Sequence, residues 1–443
     1  MNKWSKILIG IASLLILGIS YLIITEVEFN VKIIELPSSA NAKCLDGSNY
    51  RFQLIKGSGE GIDKFLLSFN GGGWCGSEVK SPSSTIEACR KRALTVAGQT
   101  IPSFSFTLSK YQRIYSSKEK YNPTFHNWNK IVISYCDGFG HQSNVDNYGL
   151  YFRGLNNTLG VLNYAINNLN FKQAESVIVT GFSAGGLAAM TWANYIDSLT
   201  EKKNNTYVLV DSGLFYNIPS KNGVYYLEKI MKEMMKYSGN NSLLLNSYCP
   251  IKDRDEIYKC FLPDYIIPSL KMPVLLIQNM YDSAAINSLV RYNCMMNKNY
   301  FDNCPSNEIE EIKKMGMEYQ MRLNQVIKEH PNISVWMPKS FGHTFIPFGT
   351  LWDNEKYSIK NIKLMDMISN WYKDSHDGKK TQYTNSFVSD ENEHKLFLYK
   401  DWVYYCITYN ILTIPRIVKK VIYKIKAIEF VIYVYINLLF SNK

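Results

Sequence analysis

A serine, an aspartate and a histidine, met in that order along the chain, are the residues whose types could do chemistry together. The serine is Ser183, inside the stretch Gly181-Phe182-Ser183-Ala184-Gly185. A serine hydroxyl is a poor nucleophile until a neighbouring base takes its proton, and that base needs a third group to orient it. Gly-x-Ser-x-Gly meets the first need when a strand enters it and a helix leaves it, because the sharp turn lifts the hydroxyl clear of the sheet. Here Ser176–Thr180 is a β-branched apolar run and Leu187–Tyr195 is rich in helix formers. A plain Gly/Ser turn is the bland reading of the five residues. The flanks on both sides favour a nucleophile elbow, and Gly181, Ala184 and Gly185 are small enough for its strained backbone.

In an α/β hydrolase the order is serine, acid, histidine, which prunes the candidates. His126 and His141 precede Ser183; His330 stands before its strand; His376 and His394 follow the last strand in polar sequence. His343 remains, in the loop after the strand Ile333–Met337. Two aspartates follow strands: Asp211 after Tyr207–Val210 and Asp282 after Pro273–Gln278. Asp282 is the expected acid, and Asp211 a structural or pocket residue, since an aspartate in a turn commonly bonds its own backbone. The oxyanion that forms when Ser183 attacks a carbonyl needs N–H donors. Asn70-Gly71-Gly72-Gly73-Trp74-Cys75 lets backbone approach a ligand, so Gly73, Trp74 and Ala184 are the expected donors. This chemistry needs no cofactor. With no C-x-x-C or H-E-x-x-H stretch, a metal site is not expected either.

These residues need a frame. Tyr50–Lys56, Phe65–Phe69 and Lys130–Tyr135 also read as strands, Leu155–Asn168 and Ser306–Glu329 as helices. Alternation of the two predicts an α/β layer fold, with a mostly parallel central sheet, helices on both faces and the site at the strands' carboxyl ends. Gly57–Gly61 does not match a dinucleotide fingerprint and is predicted to be a hairpin turn. Ile218–Leu270, rich in Met and Asn, is of the kind that caps a site.

The 443 residues can bury a large core, and their formal charge of +11 is concentrated at the ends. Residues 402–443 hold six Lys/Arg against one Glu, and Lys3 and Lys6 precede an apolar run, leaving +4 on residues 7–401. No basic cluster on the body suggests nucleic acid. The run Ile7–Ile24 has no nearby small-x-small cleavage site, so residues 1–25 are expected to be an uncleaved signal anchor, or a signal peptide if cleaved, holding the protein on a membrane in the secretory route. Eight body cysteines and acceptor triplets at Asn156, Asn204, Asn240 and Asn332 fit that compartment. Short spacing pairs Cys249 with Cys260 and Cys294 with Cys304; Cys406 is the odd one. Trp402–Ile414 and Ile428–Phe440 are each too short to span a bilayer. Residues 36–375 are the expected catalytic domain and 376–443 an extension.

Taken together, Asn-Gly-Gly-Gly-Trp-Cys (70–75), Tyr-Cys-Asp-Gly (135–138), Leu-Tyr-Phe-Arg-Gly (150–154), Gly-Phe-Ser-Ala-Gly-Gly (181–186) and Tyr-Asp-Ser (281–283) resemble the pectin acetylesterase/Notum family. The resemblance covers about 40–375 and implies a lumenal or secreted carboxylesterase with an α/β-hydrolase-like fold and Ser183, Asp282 and His343 as its triad. It also implies disulfides Cys44–Cys136 and Cys75–Cys89. Plant members deacetylate pectin; Notum removes a palmitoleoyl group from a signalling protein. The chain departs from the plant pattern at Phe182 and Thr344, where cysteines are usual, whereas Trp74-Cys75 is contiguous as in plant members. The expected substrate is an acetylated polysaccharide such as pectin or another acetyl ester. The alternatives are a lipid-removing deacylase and a non-catalytic lumenal binding protein.

Overall fold

A computed structural model describes residues 27–28, 31–75, 85–101, 107–108, 113–238, 248–253, 255–292, 304–339, 341–346, 352, 358–359, 361–379 and 381–386. Its frame is a nine-stranded sheet: β1 (Lys32–Glu35), β2 (Arg51–Ile55), β3 (Lys64–Phe69), β4 (Asn129–Ile133), β5 (Ser176–Phe182), β6 (Thr206–Asp211), β7 (Val274–Ile277), β8 (Ile333–Met337) and β9 (Thr384–Ser386). The spatial order is β9-β8-β7-β6-β5-β3-β4-β2-β1. β3 to β9 pair in parallel, and β2 runs opposite to the rest of the sheet, antiparallel to both β1 and β4.

A parallel strand covered on both faces carries apolar residues without alternation. β5 does so: Val177, Ile178 and Val179 are all fully buried, as are Val208, Leu209 and Val210 of β6 and Val274–Ile277 of β7. The principal helices are α1 (Thr85–Ala93), α2 (Gly154–Leu169), α3 (Ala184–Ser198), α4 (Tyr226–Ser238), α5 (Ser306–Glu329) and α6 (Leu364–His376). Register settles where the strands end. Phe69 lies beside Gly181, Asp211 beside Phe182, and Ile277 beside both Asp211 and Trp336. The glycine loop, the serine turn and the loops bearing Asp211, Asp282 and His343 therefore leave the sheet at one edge.

Three expectations change. Gly57–Gly61 is not a hairpin, because β4 lies between β2 and β3, and Gly59–Gly61 is a single 3-10 turn in a crossover. The sheet also overruns the boundaries at 36 and 375, since β1 precedes one and β9 follows the other. Finally, the side-chain nitrogen of Asn332 donates to the carbonyls of Leu270 (3.0 Å) and Met272 (2.8 Å), so a glycan there would have to displace a bond that ties two loops.

Disulfides join Cys44 to Cys136, Cys75 to Cys89 and Cys249 to Cys260. Cys304 is disulfide-bonded, and its expected partner Cys294 lies outside the described residues. So do Asn240, His394, Cys406, Ile7–Ile24 and the C-terminal stretches from residue 402. Asn204 is exposed in a turn, and Asn156 is half-buried in the first turn of α2. Within the Met- and Asn-rich stretch, α4 turns Leu227, Ile230, Met231 and Met234 inward. Among the described residues no helix is long and apolar enough to cross a membrane.

Candidate active site

Ser183 sits at φ 57°, ψ −129°, a conformation that costs a residue with a Cβ about 1–3 kcal/mol. Surrounding structure holds it there. Its N–H donates to Asp211 O (2.8 Å) and its carbonyl accepts from Gly186 N (2.8 Å). The turn closes only because neighbours lack side chains. A Cβ on Gly181 would fall on the carbonyl oxygen of Gly185, and one on Gly185 on that of Phe69.

Asp282 and His343 are brought together by a two-residue parallel pairing, Tyr281 with Phe341 and Asp282 with Gly342, over which the two rings stack at 4.9 Å. Asp282 is fully buried. Its Oδ1 accepts from the N–H groups of Ala284 (3.0 Å) and Ala285 (2.9 Å), its Oδ2 from Gln278 Nε2 (3.1 Å) and from His343 Nδ1 (2.8 Å). An ionised carboxylate only accepts, so Nδ1 carries the imidazole proton. Nε2 is thereby left as an acceptor, and the Ser183 hydroxyl donates to it at 2.7 Å. Ser183, His343 and Asp282 form one hydrogen-bonded chain.

Burial disfavours charge on His343, but the charge and hydrogen bond of Asp282, joined by the charge of Asp211, outweigh it and raise the imidazole above its ordinary range. Asp211 makes no bond to His343. Its Oδ2 accepts from Phe345 N (2.8 Å) and Ile346 N (2.7 Å), while Ser212 Oγ accepts from Thr344 N (3.0 Å). Two adjacent side chains thus hold three successive amides just after the histidine. Burial pushes the Asp211 carboxyl up to about 6, against the opposing pull of those two amides, His343 and the Ser212 hydroxyl.

The glycine loop lies against the serine: a Cβ on Gly71 would come within 2.8 Å of Ser183 Cβ. Ala184 and Gly185 are the first two residues of α3, where N–H groups have no acceptor inside the helix. Trp74 is buried at 4 % exposure, its ring edge-on to Phe215 at 5.0 Å, and Phe215 lies 6.3 Å from the His343 ring. Sequence reasoning missed Gln278 and Ser212, whose roles depend on the loops they meet. His141, rejected as a base, is buried against the glycine loop. Among the described residues no group of His, Cys, Asp and Glu could hold a metal.

A hydrogen-bonded Asp-His-Ser chain at the carboxyl edge of a mostly parallel sheet is the arrangement of a serine hydrolase on an α/β-hydrolase-like fold. The pectinacetylesterase family matches residues 24–392, and the chain belongs to that family. It is 24 % identical to pectin acetylesterase 7 of Arabidopsis thaliana over 384 residues, 83 % of this chain and 91 % of the relative. It is also 27 % identical to the palmitoleoyl-protein carboxylesterase NOTUM of Schmidtea mediterranea, over 57 % of this chain and 48 % of the relative. The Wnt deacylase Notum from Drosophila has a similar fold, with a TM-score of 0.64 and 20 % identity over 80 % of this chain and 96 % of that one.

Proposed function

We propose that Ser183, His343 and Asp282 are nucleophile, base and orienting acid of a deacetylase acting on an acetylated carbohydrate such as pectin. The observation that carries the reading is the chain Asp282 Oδ2, His343 Nδ1, His343 Nε2, Ser183 Oγ, with contacts of 2.8 and 2.7 Å. Ser183 Oγ attacks the ester carbonyl as His343 Nε2 takes its proton. The imidazolium, stabilised by Asp282, then returns that proton to the leaving alcohol. Water, deprotonated by the same nitrogen, releases acetate and restores Ser183. Backbone N–H groups of Gly73, Trp74 and Ala184 are the proposed oxyanion donors.

Short acyl groups fit the crowding at the reacting carbonyl, where Trp74 and Phe215 stand edge to face and Phe182 packs on the glycine loop. An added methylene contributes about 0.8 kcal/mol only if it enters apolar space. A series of p-nitrophenyl esters below micelle-forming concentration tests this, with kcat/KM expected to be higher for acetate than for octanoate. An optimum at eight carbons or longer would favour lipid removal, with Met231 and Met234 of α4 lining the chain's path. A serine-reactive phosphonate that fails to label Ser183 in folded protein would favour a binding protein.

The disulfides suit an oxidising compartment of the secretory route. There we place the protein, held to the membrane by Ile7–Ile24, with a catalytic domain running from 32 to 386. A mature chain whose N-terminus lies at residue 25 or beyond would rule out the anchor.

A further inference from the structure

Resting on the reading of Ser183 as nucleophile, we propose that Arg92, Tyr135 and His141 are positioning residues that keep the oxyanion loop turned towards it. The loop 70–75 is held through its carbonyls. His141 Nε2 donates to Asn70 O (2.9 Å), Arg92 Nη1 to Gly72 O (2.8 Å) and the Tyr135 hydroxyl to Gly73 O (2.7 Å). A carbonyl only accepts, so the neutral His141 carries its proton on Nε2. The three donors also support one another. The Arg92 guanidinium lies 4.9 Å from the centre of the Tyr135 ring, whose other neighbour is the stacked His141 ring at 4.7 Å, and Gly140 N donates to the Tyr135 hydroxyl (3.0 Å).

What this does to the loop follows from the peptide bond. Across a trans peptide the carbonyl of one residue and the N–H of the next point to opposite sides. Holding Gly72 O with Arg92 therefore fixes the direction of the Gly73 N–H, and holding Gly73 O with Tyr135 fixes that of the Trp74 N–H. These are the two loop amides proposed to meet the oxyanion. Such a clamp is needed because Gly72 (φ 155°) and Gly73 (φ 64°) lie where glycine is free to move, so either peptide could flip. The far end is fastened too. Cys75 N donates to Gly138 O (3.0 Å), and the Cys75–Cys89 disulfide ties the loop to α1, the helix that carries Arg92.

The test uses Tyr135→Phe, Arg92→Ala and Arg92→Lys in the full chain. Each is assayed on p-nitrophenyl acetate and titrated with a trifluoromethyl ketone. Ser183 Oγ adds to the ketone carbon, the carbonyl electron pair moves on to oxygen, and the serine proton passes to His343 Nε2, so the adduct carries the charge the clamped amides must meet. We expect kcat to fall about 10- to 100-fold in Tyr135→Phe and Arg92→Ala, with KM within about 2-fold. Affinity for the ketone should fall by the same factor as kcat. Arg92→Lys, which keeps a donor, should recover part of the loss, and circular dichroism should match wild type. An unchanged kcat, a KM that rises as kcat falls, or undiminished ketone affinity would overturn the clamp. Those outcomes differ from failure of the functional reading, in which the wild type itself hydrolyses no ester and a phosphonate leaves Ser183 unlabelled.

Discussion

Two carboxylates face one imidazole, and they differ in what else they hold. Asp282 bonds His343 directly and fixes its tautomer, whereas Asp211 bonds the backbone of residues 345 and 346 and reaches His343 only through its field. Asp282→Asn is therefore expected to lower kcat by about 10⁴-fold, the loss seen when a triad acid is replaced by its amide. Asp211→Asn should cost no more than about 10-fold, because its amide oxygen can still accept from the two backbone N–H groups. Steady-state kinetics on p-nitrophenyl acetate with both variants decides the assignment, and a crippled Asp211→Asn would reverse it. The two also separate by pH. The base must be neutral, and His343 is raised, so kcat/KM should fall on an acid limb whose pKa lies above 6.5. Removing the Asp211 charge lowers the imidazole pKa, hence Asp211→Asn should move that limb to lower pH. Stability gives a further sign. The folded-state pKa of Asp211, about 6, is above its unfolded value of 3.8, so its contribution to stability is complete below pH 4 and is lost as pH rises through 6. Urea midpoints of Asp211→Asn relative to wild type should therefore improve from pH 4 to pH 7.

At the scale of elements, the strand, turn and helix around Ser183 were legible because each is written locally. β5 is a β-branched run, the turn is small residues, and α3 is rich in Ala. The meeting of Ser183, Asp282 and His343 was legible for a related reason, since chain order and strand ends leave few histidines and acids to choose among. Partners that act through another segment's backbone were not. Nothing about Tyr135 or Arg92 in sequence announces that Gly73 O and Gly72 O will be their acceptors. The hairpin expectation at Gly57–Gly61 failed likewise, for β4, which separates the two strands, begins more than sixty residues later. The glycines of the elbow are expected for their small size beside a strained serine, and the contacts show how little room there is. Gly181→Ala and Gly185→Ala each set a methyl on a carbonyl oxygen. Overpacking of backbone by backbone should destabilise by about 3 kcal/mol or more in guanidinium unfolding and displace Ser183. Ala184→Gly, at a first helical position with no such contact required, should stay within about 1 kcal/mol of wild type.

Across the whole molecule, closure of long loops and of the sheet's outer edge decides stability. Cys44–Cys136 spans 92 residues and Cys249–Cys260 spans 11, so chain-entropy reasoning gives the first about 4–5 kcal/mol and the second about 3. Replacing each pair by alanine should rank the variants in that order by denaturant midpoint. The sheet's other margin is β9, which sequence alone does not reveal because Thr384-Asn385-Ser386 is short and polar. It pairs in register with Val335, Trp336 and Met337 of β8, the strand that leads to His343. The segment before it binds as firmly. Gln382 Nε2 donates to Ile327 O (2.9 Å) and Ile333 O (2.9 Å), Val335 N to Tyr383 O (2.8 Å), and the Tyr383 hydroxyl to Asp374 (2.6 Å). A chain ending at Ser375 would leave β8 as a bare apolar edge with unpaired amides, which costs stability and invites association. A chain ending at residue 392 keeps every one of those bonds. We expect the longer form to elute as the same species as the full chain and to hydrolyse acetate esters like it. The shorter form should unfold at lower denaturant by about 2–4 kcal/mol, taking one such net hydrogen bond as about 1 kcal/mol, and should elute as aggregates in size-exclusion chromatography. Equal midpoints for the two would mean that β9 adds nothing to the strand that positions the histidine.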